Sequence, residues 1–173
     1  MKGKVILGID PGLADTGYAV IQVIPRTANQ MATITVLTYG VIKTKSGVPI
    51  MKRLSKIYNE VGVLIDSTRP TDVVIERFIG GSTVHNRSTT CTVNQSIGSV
   101  LCCIGNSYPD GIPLQFFSAR EVKKNITGYG SASKIDMQNK VKDLLGLDKI
   151  PKPNHAADAL GLTICYSRKR RWI

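Results

Sequence analysis

The sequence predicts a single α/β domain with a five-stranded mixed sheet flanked by helices. Three observations predict it. Short apolar or β-branched runs are interleaved with stretches whose apolar residues recur at helical spacing. The first three runs follow one another through short connections, as an antiparallel meander does. The order after them, helix, strand, helix, strand, helices, is that of a mixed sheet covered by helices. The chain has 173 residues, the size of one ordinary domain. No composition break marks a second domain, so 1–173 reads as one unit with a short basic tail at about 168–173.

Lys4 to Asp10 is an apolar run ended by Pro11-Gly12 and reads as a strand buried on both faces. Thr16 to Ile24 and Ala32 to Lys43 are the second and third strands, the latter rich in β-branched residues. From Pro49 to Thr68, Leu54, Ile57, Tyr58, Val61, Leu64 and Ile65 mark an amphipathic helix closed by Arg69-Pro70. Asp72 to Glu76 is the fourth strand. Phe78 to Thr92 is polar and Gly-bearing and reads as a loop, with a helix from Val93 to Asn106 after it. Tyr108-Pro109-Asp110-Gly111 is a turn, and Ile112 to Phe117 the fifth strand. Ser118 caps a short helix to Ile126, and Ser131 or Ser133 opens another that Gly146 stops near Leu145. Asn154 caps the last helix, with Ala157, Leu160, Gly161 and Ile164 on one face. This order predicts a ribonuclease H-like topology.

Lys and Arg total 23 against 12 Asp and Glu, a net charge of +11. That excess suggests a polyanionic partner, nucleic acid foremost; plain solubility is the alternative. The basic residues are scattered, not gathered on one amphipathic helix, which argues against a membrane surface. No apolar run approaches the ~20 residues of a membrane span. The N-terminus lacks a signal-peptide core, so a cytoplasmic location is expected. The four cysteines form no C-x-x-C, and Cys102-Cys103 read as small buried hydrophobes in a reducing compartment.

Nine of the twelve acids, Asp72 among them, lie in polar or turn contexts. Asp10 and Glu76 instead end apolar strands, and Asp158 sits among alanines in Ala156-Ala157-Asp158-Ala159-Leu160. An unpaired carboxylate near a core costs several kcal/mol. No Lys or Arg has an equally apolar setting, although Arg77 adjoins Glu76, so a divalent cation is the better compensator. Sites in open sheets of this kind gather at the carboxyl ends of strands. His155 precedes Asp158 by three residues and shares its helix face. Asp10, Glu76, His155 and Asp158 thus form a candidate two-metal site for phosphodiester hydrolysis, in a pocket expected to be poor in lysine and arginine.

These residues carry a resemblance. Gly8-Ile9-Asp10-Pro11-Gly12 with Thr16-Gly17-Tyr18, then Val74-Ile75-Glu76, then Ser118 to Lys123 with Gly128 to Lys134, then His155 to Leu160, resemble in order the motifs of RuvC-type Holliday junction resolvases. The resemblance spans about Val5 to Ser167. It implies a homodimeric, Mg2+-dependent endonuclease with two ions per active site, making paired symmetric nicks in four-way DNA junctions. It implies Asp10, Glu76 and Asp158 as metal ligands, and Lys123 and Lys134 as the basic residues near the scissile phosphate. Forks and flaps are further candidate substrates.

Three departures stand out. His155 stands where many members carry Asp; imidazole suits Mn2+, so Mn2+ is expected to substitute well. The segment from Glu76 to Gln95, carrying Gly80-Gly81, His85 and Arg87, is a few residues longer than the family's. The family's wedge-like aromatic would fall on Ile79; Phe78 is the candidate substitute, stacking on a base for ~1–3 kcal/mol, or else a core residue. The cysteines and this loop hint at a divergent, viral member acting in a host cell.

Other basic groups complete the expected DNA surface. Lys134 opens a helix whose free amides can hold a phosphate. Arg120, Lys123 and Lys124 cluster on the preceding helix. Tyr129 contacts sugar or packs; the tail grips duplex or is a disordered solubilising end. The helix from Val93 reads as core and, in part, as a dimer contact. A junction-binding module without chemistry is the competing reading, which the intact acids oppose. An actin-like phosphotransferase needs two such domains.

Overall fold

The computed structural model describes residues 3–78 and 84–173, and of 84–88 the backbone alone. Five strands, β1 (Lys4–Asp10), β2 (Asp15–Ile24), β3 (Thr33–Lys43), β4 (Asp72–Glu76) and β5 (Leu114–Phe117), form one sheet in the order β3-β2-β1-β4-β5. β1 pairs antiparallel with β2 and β2 with β3, while β1–β4 and β4–β5 are parallel. The mixed sheet and ribonuclease H-like topology are therefore as predicted.

Two helix layers cover the sheet. α1 (Ile50–Thr68) and α2 (Val84–Ser107) pack on the face carrying Leu7, Ile9, Val73 and Ile75, through Ile57, Val61, Val100 and Ile104. α3 (Ala119–Thr127), α4 (Lys134–Leu145) and α5 (Asn154–Lys169) take the face carrying Ile6, Ile21 and Val74. α1 ends where Arg69 turns left-handed at φ 48°, its amide donating to the Ile65 carbonyl, before Pro70. Ser118 caps α3, and Ser133 rather than Ser131 caps α4; both form capping boxes, with Glu121 and Asp136.

Several expectations fail for local reasons. α2 begins at Val84, nine residues before the predicted start. Residues 84–92 hold neither Gly nor Pro, so nothing in this polar stretch stops helix propagation. β5 begins at Leu114, after Pro113. Asn154 does not cap α5: it is already helical, Pro153 holds the cap position, and the Asn154 side chain accepts instead from Gln138 (2.9 Å). α5 is buried on all sides from Ala156 to Ser167 apart from half-buried Asp158, because the sheet lies on one side and α3 and α4 on the other. Cys102 is exposed and only its neighbour Cys103 is buried, since adjacent helical residues point about 100° apart.

The basic end of the chain is held against the domain. The Trp172 carbonyl accepts from the Arg26 amide, and its ring meets Tyr166 edge-on at 5.7 Å. Lys4 and Arg170 lie over the same indole, and Lys169 over Phe117. A disordered end is thereby excluded.

Candidate active site

Parallel pairing of β1 with β4 brings the first two acids together. Ile9 is in register with Ile75, so the next residues, Asp10 and Glu76, leave the sheet at one edge. Alternation sends both to the α5 side, the face to which Ile6 and Val74 also belong.

α5 supplies the other two groups because the strands let it come close. A Cβ on Gly8 would lie 2.6 Å from the Ala159 carbonyl oxygen and 2.7 Å from Thr163 Cγ2, and one on Gly17 would collide with the His155 carbonyl. Only glycine fits at these positions. The alanines of α5 complete the fit from the helix side, and the first turns of α5 then face the ends of β1 and β4.

His155 Nδ1 lies 2.6 Å from Asp10 Oδ2, and ligating atoms of Asp10, His155 and Asp158 all fall within 4.8 Å of one another. With Glu76 they line a cavity of about 310 Å³, which Phe78, Val93, Lys123 and Lys134 also line. Asp10 is 9 % exposed, and Glu76 and Asp158 are half-buried. Burial, reinforced by the charges of Asp10 and Asp158, pushes the Glu76 carboxyl up to about 8. Burial and Asp10 push Asp158 up to about 6. The hydrogen bond to Asp10 raises His155. Carboxylates that resist losing their protons, gathered around one imidazole, are a cluster awaiting positive charge. Hard oxygen donors with one imidazole fit a divalent metal ion, and Asp10, Glu76, His155 and Asp158 are the residues that would hold it.

The pocket is not poor in lysine, contrary to expectation. Lys123 and Lys134 line it, because α3 and α4 pack on α5 beside the strand ends. Neither brings its ammonium within 4.0 Å of a carboxylate, so among the described residues the acids carry no lysine or arginine ion pair. Arg77 follows strand alternation away from Glu76 and sits 4.0 Å from Glu121.

A family model described as crossover junction endodeoxyribonuclease RuvC matches residues 6–166. The chain belongs to the RuvC family. It is 35 % identical over 166 residues to the crossover junction endodeoxyribonuclease RuvC of Syntrophomonas wolfei, covering 96 % of this chain and 90 % of that one. To the RuvC of Brevibacillus brevis it is 33 % identical over 168 residues, covering 97 % and 94 %. Among solved structures, T. thermophilus RuvC in complex with Holliday junction substrate superposes with a TM-score of 0.82 at 27 % identity, covering 97 % of this chain and 95 % of that one. The yeast mitochondrial Holliday junction resolvase Ydc2 shares the fold, with a TM-score of 0.64 at 14 % identity, covering 95 % and 78 %.

Around this RuvC-family cluster the remaining candidates divide. Phe78, half-buried, is in the pocket wall. Arg120, Lys124 and Tyr129 are exposed outside it, Tyr129 at 74 %, and the Arg120 side chain crosses Gly130, where a Cβ would lie 2.8 Å from its Cγ. Ile79 and Gly80-Gly81, and the side chains of His85 and Arg87, lie outside the described residues. The α4 terminus offers less to an anion than expected: the capping box occupies the Asp136 amide and sets the Asp136 carboxylate there, leaving the attraction to the Lys134 ammonium. Sequence reasoning missed Asp72. It is 2 % exposed and accepts from Tyr166 Oη and from Thr71 Oγ1, both at 2.7 Å. The signal was available: Asp72, Val74 and Glu76 share one parity on β4.

Proposed function

We propose that this chain is a metal-dependent endodeoxyribonuclease that resolves four-way DNA junctions by paired, symmetric nicks. The supporting observation is the convergence of Asp10, His155 and Asp158 within 4.8 Å, with Glu76 on the same cavity, in a chain whose relatives bear the name crossover junction endodeoxyribonuclease. Asp10, Glu76, His155 and Asp158 hold two Mg2+ ions, for which Mn2+ substitutes. When bound, such a pair supplies a water of lowered pKa and charge to offset the departing oxygen. Asp10 orients His155 by taking one ring nitrogen. Lys134 and Lys123 hold the scissile phosphate beside the carboxylates, and Phe78, in the wall of the cavity, stacks on an unpaired base. Arg120, Lys124 and Tyr129 contact backbone beyond the pocket, and Arg87, whose side chain lies outside the described residues, is a further DNA-binding candidate.

Two nicks on one junction require two sites. α2 exposes Gly98, Cys102 and Gly105 along one side, and a second copy packs there about a two-fold axis. Forks and flaps are further substrates, and the reaction takes place in the cytoplasm. Among the described residues no helix is long and apolar enough to cross a membrane.

A synthetic four-way junction with labelled arms tests the reading. Paired nicks at symmetric positions, requiring Mg2+ or Mn2+, are expected; junction binding without nicks in either metal would leave a binding module in place of a nuclease.

A further inference from the structure

The carboxylate cavity does not close at His155. A second hollow of about 370 Å³ shares His155, Gly12 and Val93 with it and extends to Arg53. Arg53 in turn lines a third hollow of about 310 Å³, together with Lys43, Lys45, Lys52 and Lys56. The three hollows form a row, the first two sharing Gly12, Val93 and His155 and the last two sharing Arg53. The row starts between Lys123 and Lys134, passes the acids and ends among five cations on the opposite side.

The fold builds that far end. β3 runs parallel to β1 across the antiparallel β2, so Lys43 emerges at the same edge as Asp10; its register partner is Asp15, just beyond the β1–β2 turn. Lys52 and Lys56 are four residues apart on α1 and share a face, with Arg53 next to it. Arg53 is fixed: its Nε donates to Thr44 Oγ1 (2.7 Å), and that hydroxyl donates to the Leu13 carbonyl (2.5 Å) in the turn after Asp10. The four lysines are exposed, and among the described residues none of the five cations has a carboxylate within 4.0 Å. No acid lines the third hollow; Asp15 lines the second. Five like charges around one hollow repel each other, and Asp15, across from Lys43, and Glu60, one turn from Lys56 on α1, offset this only in part, since among the described residues neither forms an ion pair with them. A polyanion would offset the rest.

We infer that Lys43, Lys45, Lys52, Arg53 and Lys56 form a second phosphate cradle, gripping the sugar-phosphate backbone of a DNA arm on the side of the cut opposite Lys123 and Lys134. This rests on the nuclease reading, which it deepens: the backbone would be held on both flanks of the carboxylates. Arg53, tied through Thr44 to the turn that follows Asp10, links the grip to the site.

The test compares the parent with Lys52→Gln/Lys56→Gln and with Lys140→Gln/Lys149→Gln, which removes the same charge from α4 and the segment after it. Affinity for a four-way junction is measured without divalent metal across a salt series, and thermal unfolding checks that each variant is folded. The cradle variant should bind about tenfold more weakly, and its log affinity should fall less steeply with log salt, by about 2 in slope. The control pair should shift less in both. Equal losses in the two double variants, or no loss in either, would overturn the cradle while leaving cleavage by the parent untouched. A parent that binds but never nicks, with affinity still lost on removing Lys52 and Lys56, would overturn the nuclease reading and keep the cradle.

Discussion

β4 and α5 cross the molecule together and bear a carboxylate at each end, yet the two ends are built oppositely. At the start of β4, Asp72 is 2 % exposed and fully engaged by the Tyr166 and Thr71 hydroxyls. Burial, then the hydrogen bond and charge of Asp72, push the Tyr166 phenol well above its ordinary range, so it stays a donor. At the end of β4, Glu76 meets Asp10 and Asp158, and the nearest relief is one imidazole. From Asp158 to Tyr166 the helix advances about 12 Å, and from Glu76 to Asp72 the strand retreats about 13 Å, so the two clusters face each other in register. One end spends polar groups on neutral donors and is finished by the fold. The other gathers like charge and is finished only by something brought from outside.

Removing a carboxylate from each end should therefore have opposite effects. Asp10→Asn should cut nicking of a four-way junction by more than about a hundredfold, the upper reach of losses seen for groups that merely support metal ligands. Junction affinity should stay near the parent's, because it rests on lysine and arginine. Nicking at parental rates would break the site assignment. Asp72→Ala should do the reverse: it strands the Tyr166 hydroxyl and costs about 1–3 kcal/mol in denaturant unfolding. Its metal-dependent nicking should persist at temperatures where it is folded. Unaltered stability would mean that the Asp72 contacts contribute nothing net.

The same contrast explains what the sequence disclosed. Asp10, Glu76 and Asp158 stood out because an acid closing an apolar run is a local anomaly, and a strand-end position already implies a shared edge once pairing is parallel. Asp72 has the same chemistry but opens its strand directly after Arg69-Pro70-Thr71, so it looked like turn polarity. Its partner is 94 residues away, and no local pattern points there. The approach of α5 was half legible. Its alanines suggested close packing, whereas the need for Gly8 and Gly17 depends on which strands it crosses. The nine extra residues of α2 were hidden by polarity that resembles a loop when neither Gly nor Pro decides the matter.

pH sharpens the comparison. Glu76 is raised from 4.5 to about 8, and Asp158 from 3.8 to about 6. A carboxyl with a raised folded pKa binds its proton more tightly when folded, so its ionisation destabilises the fold as pH climbs from the unfolded to the folded value. The raised His155 acts in the same direction: its contribution is complete below 6.5 and is lost as pH rises through its folded pKa. The metal-free protein should thus lose thermal stability between about pH 4 and 8, from the onset of the Asp158 window to the end of the Glu76 one, and Glu76→Gln should flatten that slope. Added Mg2+ or Mn2+ should raise the melting temperature more at pH 8 than at pH 6, because metal displaces protons from its ligands. A metal effect independent of pH would contradict the arrangement.

The smallest expected effect concerns His155 alone. Its Nδ1 is committed to Asp10, which leaves Nε2 as the nitrogen free for a metal. Replacing a neutral donor by a carboxylate adds charge to a cluster already short of cations, while removing the donor that suits Mn2+ better than Mg2+. His155→Asp should therefore lower the ratio of Mn2+-supported to Mg2+-supported nicking by severalfold. It should also make the metal-free protein less stable at pH 8, since a third neighbouring acid then opposes ionisation of Glu76. Comparing the two metals within each variant cancels any shared loss of activity. If parent and variant give equal ratios, His155 orients Asp10 without ligating the metal, and the open end of β4 relies on its three carboxylates.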